Sequence, residues 1–271
     1  MTNLRKVCVF TSSRAEYGLL KNLLVLLKKS QKINLQLLVS GTHLSNKHGL
    51  TINEILKDGF SIDAKVDLKL ISDSAEDLSS SVARGIRYFG RKLRLLSPDI
   101  ILLLGDRYEL FSIAIPAMLH RIPIAHVHGG ELTQGAFDEV IRHSLTKFSH
   151  IHFVANSSYK RRVVQLGEQR HNVFTVGGLG VDAIETIKLL KKNELEKKYG
   201  FKFQRKNLLV TFHPQTLDKG SAKNQMKILL KTLKELGDTL LIFTMPNADS
   251  ESQGIQSLIK DFCYENDNSI Y

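Results

Sequence analysis

Short, unbroken apolar runs that end abruptly in glycine and charged side chains constrain this chain more than any other feature. Leu102-Leu103-Leu104 stops at Gly105-Asp106-Arg107, and Ile124-Ala125-His126-Val127 stops at His128-Gly129-Gly130-Glu131. A run of that length without polar alternation reads as a strand buried on both faces of a parallel sheet. Further strand-like runs at 6–11, 35–40, 151–155 and 173–176, and a weaker one at 63–68, alternate with helical stretches at 16–30, 51–58, 75–97, 108–120, 138–148 and 157–165. Such alternation builds βαβ units. The fold class is therefore α/β, with seven strands completing one doubly wound, Rossmann-like domain over residues 1–180.

After Gly177-Gly178 the pattern changes. A lysine-rich stretch at 183–199 reads as the helix of a connector over 181–206. Strands at 207–212 and 239–244, with helices at 223–236 and 255–263, then begin a second Rossmann-like domain over 207–271. Two strands and two helices cannot bury both faces of a sheet, and a doubly wound domain takes roughly 100–150 residues. The second domain is therefore expected to be truncated.

The formal net charge of +11 raises the question of an anionic partner. The basic residues are scattered along helical stretches, as at Arg84, Arg87, Arg91, Lys92 and Arg94, without interleaved aromatics, and tryptophan is absent. Solvated helix faces account for most of them, which argues against a nucleic-acid partner, while the positive field favours a phosphorylated small molecule. No apolar stretch approaches the ~20 residues that span a bilayer, so no membrane partner is expected. The N-terminus shows no signal-peptide pattern. Cys8 and Cys263 lie far apart and read as reduced packing residues, consistent with a cytoplasmic protein.

In open α/β sheets, ligands bind beyond the carboxyl ends of the strands. Those ends carry Ser12-Ser13-Arg14, Gly41-Thr42-His43, Gly105-Asp106-Arg107, His128 through Glu131, Gly177-Gly178 with Asp182 beyond, and, in the second domain, His213 and Asn247-x-Asp249. Arginines suit diphosphate recognition, and carboxylates with imidazoles suit general acid–base work. Structural readings stand beside these: Asp106 as a helix cap, His126 as a core histidine, His143 as a solvated one. His126-x-His128 with Glu131 also invites a metal, but no further ligand cluster lies nearby and none is expected. Gly177-Gly178-x-Gly180 is too incomplete for a dinucleotide fingerprint.

Taken together, Thr11-Ser12-Ser13-Arg14-Ala15-Glu16-Tyr17-Gly18, Gly41-Thr42-His43-Leu44, Gly105-Asp106-Arg107, His126 through Glu131, Asp138-Glu139-x-Ile141-Arg142-His143-x-x-Thr146-Lys147, His213-Pro214 and Pro246-Asn247-x-Asp249 resemble the hydrolysing UDP-N-acetylglucosamine 2-epimerases of the sialic-acid type. The resemblance implies two Rossmann-like domains facing across a cleft, as in glycosyltransferase-B enzymes. It implies a UDP-sugar substrate, no cofactor, and release of UDP with N-acetylmannosamine by elimination and hydration; a homo-oligomer is compatible with it. Asp106, Glu131 and His213 are the implied catalytic residues. Arg14, His43, Arg107, His128, Asp138, His143, Asp182, Asn247 and Asp249 are implied to bind substrate. More distant, non-hydrolysing relatives carry glutamate at the position of His128. The same reaction on a 4-acetamido-4,6-dideoxy sugar, on the way to legionaminic acid, is the nearest alternative. A glycosyltransferase of the same architecture and a noncatalytic nucleotide-sugar-binding fragment are further ones.

Overall fold

A computed structural model describes residues 4–72, 74–214, 220–246 and 252–271. The chain divides into two compact units, one running to Gln134 and resuming over Asp138–Ile187, the other comprising Gly135–Phe137 and Lys188–Tyr271.

The first unit holds seven strands: β1 (Arg5–Thr11), β2 (Ile33–Ser40), β3 (Ala64–Val66), β4 (Ile100–Leu104), β5 (Ile124–Val127), β6 (Ile151–Val154) and β7 (Val173–Thr175). They form one sheet in the order β3-β2-β1-β4-β5-β6-β7, with every neighbouring pair parallel. Its helices are α1 (Arg14–Lys29), α2 (Ile52–Lys57), α3 (Ala75–Leu96), α4 (Glu109–Leu119), α5 (Asp138–Phe148), α6 (Ser157–Gln165) and α7 (Leu179–Thr186).

Strand alternation explains why these strands read as continuous apolar runs. Val9, Leu37, Val39, Leu102, Leu104 and Val127 form one core with Tyr17, Leu20 and Leu24 of α1 and Ile52 and Ile55 of α2. The neighbouring positions point the other way: Phe10 meets Phe89 of α3 edge-on, with centroids 5.4 Å apart. Both faces are thus covered, and neither can carry a polar stripe. Each fully buried Leu or Phe removed from water contributes about 1.5–3 kcal/mol. Cys8 is buried and both cysteines are free.

Local chemistry sets the helix ends. Ser13 caps α1 by accepting from the Glu16 N–H, with Glu16 completing a capping box. Ser97 ends α3 in the left-handed conformation just before Pro98. A short 3-10 turn over Gly41–Leu44, not foreseen from the sequence, follows β2 and carries His43.

In the second unit, α8 (Lys192–Tyr199), β8 (Lys206–Val210), α9 (Ala222–Leu233), β9 (Thr239–Phe243), α10 (Ser252–Glu265) and β10 (Ser269–Ile270) follow in order. The strands form a parallel sheet ordered β10-β9-β8, and Met226, Leu230, Leu241, Phe243, Ile255 and Ile259 share its core. Two expectations are corrected here. Residues 183–199 are two helices, the first of which packs on α1 inside the first unit. A third strand, too short to show a period, closes the described part of the second sheet.

Candidate active site

The sheet order reverses between β1 and β4, whose connections leave in opposite directions along the sheet, and ligands of such folds bind at that switch point. The β1 end is a tightly held turn. Glu16 is buried, and its carboxylate accepts from the Ser12 N–H at 2.6 Å, the Ser12 hydroxyl at 3.0 Å and the Ser13 N–H at 3.2 Å. Burial pushes the Glu16 carboxyl up to about 7, against the pull of Arg107. From the far side, the Thr42 hydroxyl donates to the Ser12 carbonyl at 3.1 Å. Gly41 sits at φ +58°, and a Cβ there would lie 2.5 Å from that same carbonyl oxygen, so only glycine fits.

The ends of β4 and β5 converge with α5. Arg142 projects from α5 almost wholly buried and donates to the Asp106 carboxylate, to the Glu131 carbonyl at 2.9 Å and to the Thr133 hydroxyl at 2.9 Å. A single guanidinium therefore fixes the side chain of one carboxylate residue and the backbone of the other. Asp106 is not a helix cap: α4 starts after Tyr108 with no side-chain cap. His126 is fully buried, with Nε2 2.7 Å from the Gly105 carbonyl and Nδ1 3.4 Å from the Thr146 hydroxyl. Burial pushes its imidazole down to about 4, so it stays neutral and holds the peptide that precedes Asp106.

Two residues further, His128 occupies φ +65° and pairs with Glu131, Nδ1 to Oε1 at 3.1 Å. That hydrogen bond holds the Glu131 carboxyl below its ordinary value. Between them Gly130 takes φ +81°, with its α-carbon so close to α6 that a Cβ would lie 2.5 Å from the Tyr159 carbonyl. Arg162 of α6 donates to the Gly130 carbonyl.

The other expected site residues fall into distinct environments. The Arg107 guanidinium is held by Glu109 at 3.0 Å, Glu109 itself having no exposed side-chain surface. Arg14 lies exposed and pairs with Glu54 at 3.1 Å. His43 is fully buried, Nε2 3.0 Å from the Thr11 hydroxyl and Nδ1 2.8 Å from that of Thr51, and burial pushes it down to about 4. Asp138 opens α5, half-buried. His143, on the same helix, has Nε2 3.9 Å from Glu139 and a buried Nδ1 with no partner among the described residues. Asp182 is exposed on α7, where its backbone carbonyl accepts from Asn22. His213 is exposed beyond β8 in the second unit. Asn247 and Asp249 lie outside the described residues.

Glu16 and Arg142 stand within the motifs quoted from the sequence but were assigned no role there, and Glu109 was not noted. Two of them carried a signal: Ser13-x-x-Glu16 is a capping-box spacing, and Arg142 shares the inward face of α5 with Ile141, Leu145 and Thr146. Among the described residues, no three His, Cys, Asp or Glu side chains are grouped so as to hold a metal ion, and no helix is long and apolar enough to cross a membrane.

Residues 26–268 match the family described as UDP-N-acetylglucosamine 2-epimerase. The chain belongs to the UDP-N-acetylglucosamine 2-epimerase family. Within it, the chain is 41% identical to the polysialic acid biosynthesis protein P7 of Escherichia coli over 97% of its own length and 67% of that protein's. It is 39% identical to a hydrolysing GDP/UDP-N,N'-diacetylbacillosamine 2-epimerase of Campylobacter jejuni, covering 97% of this chain and 68% of the relative. A hydrolysing UDP-N,N'-diacetylbacillosamine 2-epimerase of Legionella pneumophila is 34% identical, covering 96% and 68%. The fold is shared with a solved UDP-GlcNAc 2-epimerase from Neisseria meningitidis bound to UDP-GlcNAc, at a TM-score of 0.80 and 19% identity, covering 97% of this chain and 71% of that one. The α/β class read from the strand pattern, and the glycosyltransferase-B-like fold that the motif resemblance implied, agree with that structure.

Proposed function

We propose that this chain is a hydrolysing 2-epimerase that converts UDP-N-acetylglucosamine and water to N-acetylmannosamine and UDP. The observation that carries the reading is the Asp106–Arg142–Glu131 arrangement, two acidic residues from adjacent strand ends fixed by one buried guanidinium. The reaction needs a base for the C2 proton, charge balance for the departing diphosphate, and an acid and a water for the second stage. Elimination breaks C2–H and the C1–O bond to UDP and leaves a 2-acetamidoglucal. Hydration then places hydroxyl on C1 and a proton on the opposite face of C2.

In this reading Asp106 and Glu131 manage protons, and Arg107 and Arg14 meet negative charge. Arg107 is the better placed of the two, being partly shielded from water, where a charge interaction is stronger. His128, His143, Asp138 and Asp182 remain assigned to the sugar. His43 acts through the turn it supports. His213, Asn247 and Asp249 keep the roles the motif resemblance implies.

A second substrate is favoured by the names of the Campylobacter and Legionella relatives: UDP-N,N'-diacetylbacillosamine, with an acetamido group at C4 and a methyl at C5. Proton NMR of the protein with each UDP-sugar in deuterated water separates the two. The expected result is free UDP and an N-acetylmannosamine product carrying deuterium at C2. Turnover of the diacetylated substrate alone would move the assignment to that sugar. UDP release only on adding an acceptor alcohol would make the chain a glycosyltransferase, and binding without turnover of either sugar would overturn the enzymatic reading.

A further inference from the structure

We propose that Glu109 is a positioning residue that fixes the Arg107 guanidinium for the substrate's diphosphate, and so sets how tightly the site holds an anion. This rests on the UDP-sugar reading above and adds to it a residue that touches no substrate itself. Arg107 donates through Nη2 to Glu109 Oε1 at 3.0 Å and through Nε to Oε2 at 3.2 Å. One edge of the guanidinium is thus committed to the carboxylate in a two-pronged, charge-assisted pair. Any anion that Arg107 meets is met through the opposite edge, which carries Nη1.

The pair forms because Arg107 stands just outside the helix. Residues two apart within a helix do not face each other. Here α4 begins at Glu109, and Arg107 still belongs to the loop that follows β4. The Leu110 N–H donates to the Arg107 carbonyl at 3.0 Å and folds this turn. Glu109 has no exposed side-chain surface, whereas Arg107 keeps 17%. A carboxylate sealed so completely cannot lose its partner without leaving a buried, unpaired charge. The buried member is therefore the anchor, and the arginine is the member that reaches water.

Charges from both sides of the sheet's reversal bear on this guanidinium. Glu16, in the first turn of α1, feels Arg107 and Glu109 in opposite senses, behind the larger effect of its burial. His48, beyond the end of β2, is pushed down by burial first and then by Lys47 and Arg107. The Tyr108 ring lies 5.9 Å from the guanidinium carbon. Arg107 thus stands near the ends of β2, β1 and β4, which are neighbours in the sheet, and Glu109 decides where its charge falls.

The sign of one measurement separates positioning from charge balance. A carboxylate 3.0 Å from the guanidinium also repels an anion, so a Glu109 that only balanced charge would tighten UDP binding when replaced by glutamine. Positioning predicts the opposite: in Glu109→Gln the Kd for UDP, read by calorimetry, should rise about 5–30-fold. Glu109→Asp keeps the ion pair but draws the guanidinium back by one methylene. It should fold like wild type and raise Kd about 3–10-fold, which keeps the test open if the glutamine variant folds poorly. Arg107→Gln should raise Kd about 10–100-fold. The double variant with glutamine at both positions leaves no buried charge and should match Arg107→Gln within about twofold. Wild-type protein that fails to bind UDP would defeat the UDP-sugar reading and this inference with it. With wild-type binding established, an unchanged or lower Kd in Glu109→Gln, a wild-type Kd in Glu109→Asp, or additive losses in the double variant would each overturn the positioning role alone.

Discussion

The two units of this chain carry parallel sheets built on different plans. In the first, β1 and β4 are neighbours although 88 residues separate the last of one from the first of the other (from Thr11 to Ile100), and the order reverses between them. In the second, β8, β9 and β10 lie side by side in chain order, with no reversal among the described strands. A reversal makes adjacent connections part and leaves a crevice at the strand ends. That is why the charged ends of β1, β4 and β5 meet in mutually fixed groups, while the β8 end presents His213 to solvent. A similar set of strand-end residues becomes a site only where topology brings the ends together.

The contrast is tested most severely at Asp106. Asp106→Asn should lower UDP release by about 10²–10⁴-fold while leaving UDP binding within threefold; steady-state kinetics and calorimetry check both. Near-normal turnover would remove the β4 end from the chemistry. A matching loss in His213→Gln would extend it to the second unit's rim.

Gly130→Ala probes how closely the first rim is packed. A Cβ 2.5 Å from the Tyr159 carbonyl, on a left-handed backbone, should cost about 2–4 kcal/mol, read as a lower urea midpoint. An equally stable variant would show that α6 yields and that the turn is not fixed by it.

Buried titrating groups in the same unit give opposite pH slopes. The folded protein raises Glu16 from 4.5 to about 7, so its contribution is full below about pH 4.5 and is lost as pH climbs through about 7. Glu16→Gln should therefore gain on wild type between pH 5 and pH 8, by up to about 3 kcal/mol. His126 is lowered from 6.5 to about 4, so its contribution is present above pH 6.5 and disappears as pH falls toward 4. Wild type should lose stability to His126→Gln over that lower window. Melting curves across pH 4–8 read both differences, and parallel curves would refute the shifts.

The smallest effect belongs to the exposed Arg14–Glu54 pair, 71% and 48% exposed. Glu54→Gln should change stability by less than about 0.5 kcal/mol. A larger change in a urea titration would mean that this edge of the rim is more rigidly built than its exposure implies.

The architecture of the first unit was largely legible because its strands are buried on both faces. Leu102–Leu104 and Ile124–Val127 have no polar face to confuse with a helix, and Ser97-Pro98 ends α3 where the residues say it should. The second unit was less so: β10 is two residues long, and the break between α7 and α8 falls at Ile187-Lys188-Leu189-Leu190-Lys191, where no glycine or proline marks it. In the site, Glu131 stood out because an acidic group after two glycines lacks an ordinary structural role, and Asp106 because Arg107 stands beside it, although a helix cap was also open to it. Arg142 and Glu109 did not, since nothing in a sequence shows that a charged helix residue faces inward until its partner is placed. His43 shows the converse. A histidine after a strand looks open to solvent, and only the 3-10 turn shows that it is folded against Thr11 and Thr51.

The left-handed backbone at position 128 also limits what variation can install there. Glycine, asparagine and aspartate enter that conformation readily, whereas valine, isoleucine and threonine are disfavoured by their branched β-carbons. A saturation library at this codon should thus sort in two stages, backbone first and chemistry second. Variants that keep the fold will cluster among glycine and the small polar residues, so few amino acids are open to this position whatever its role.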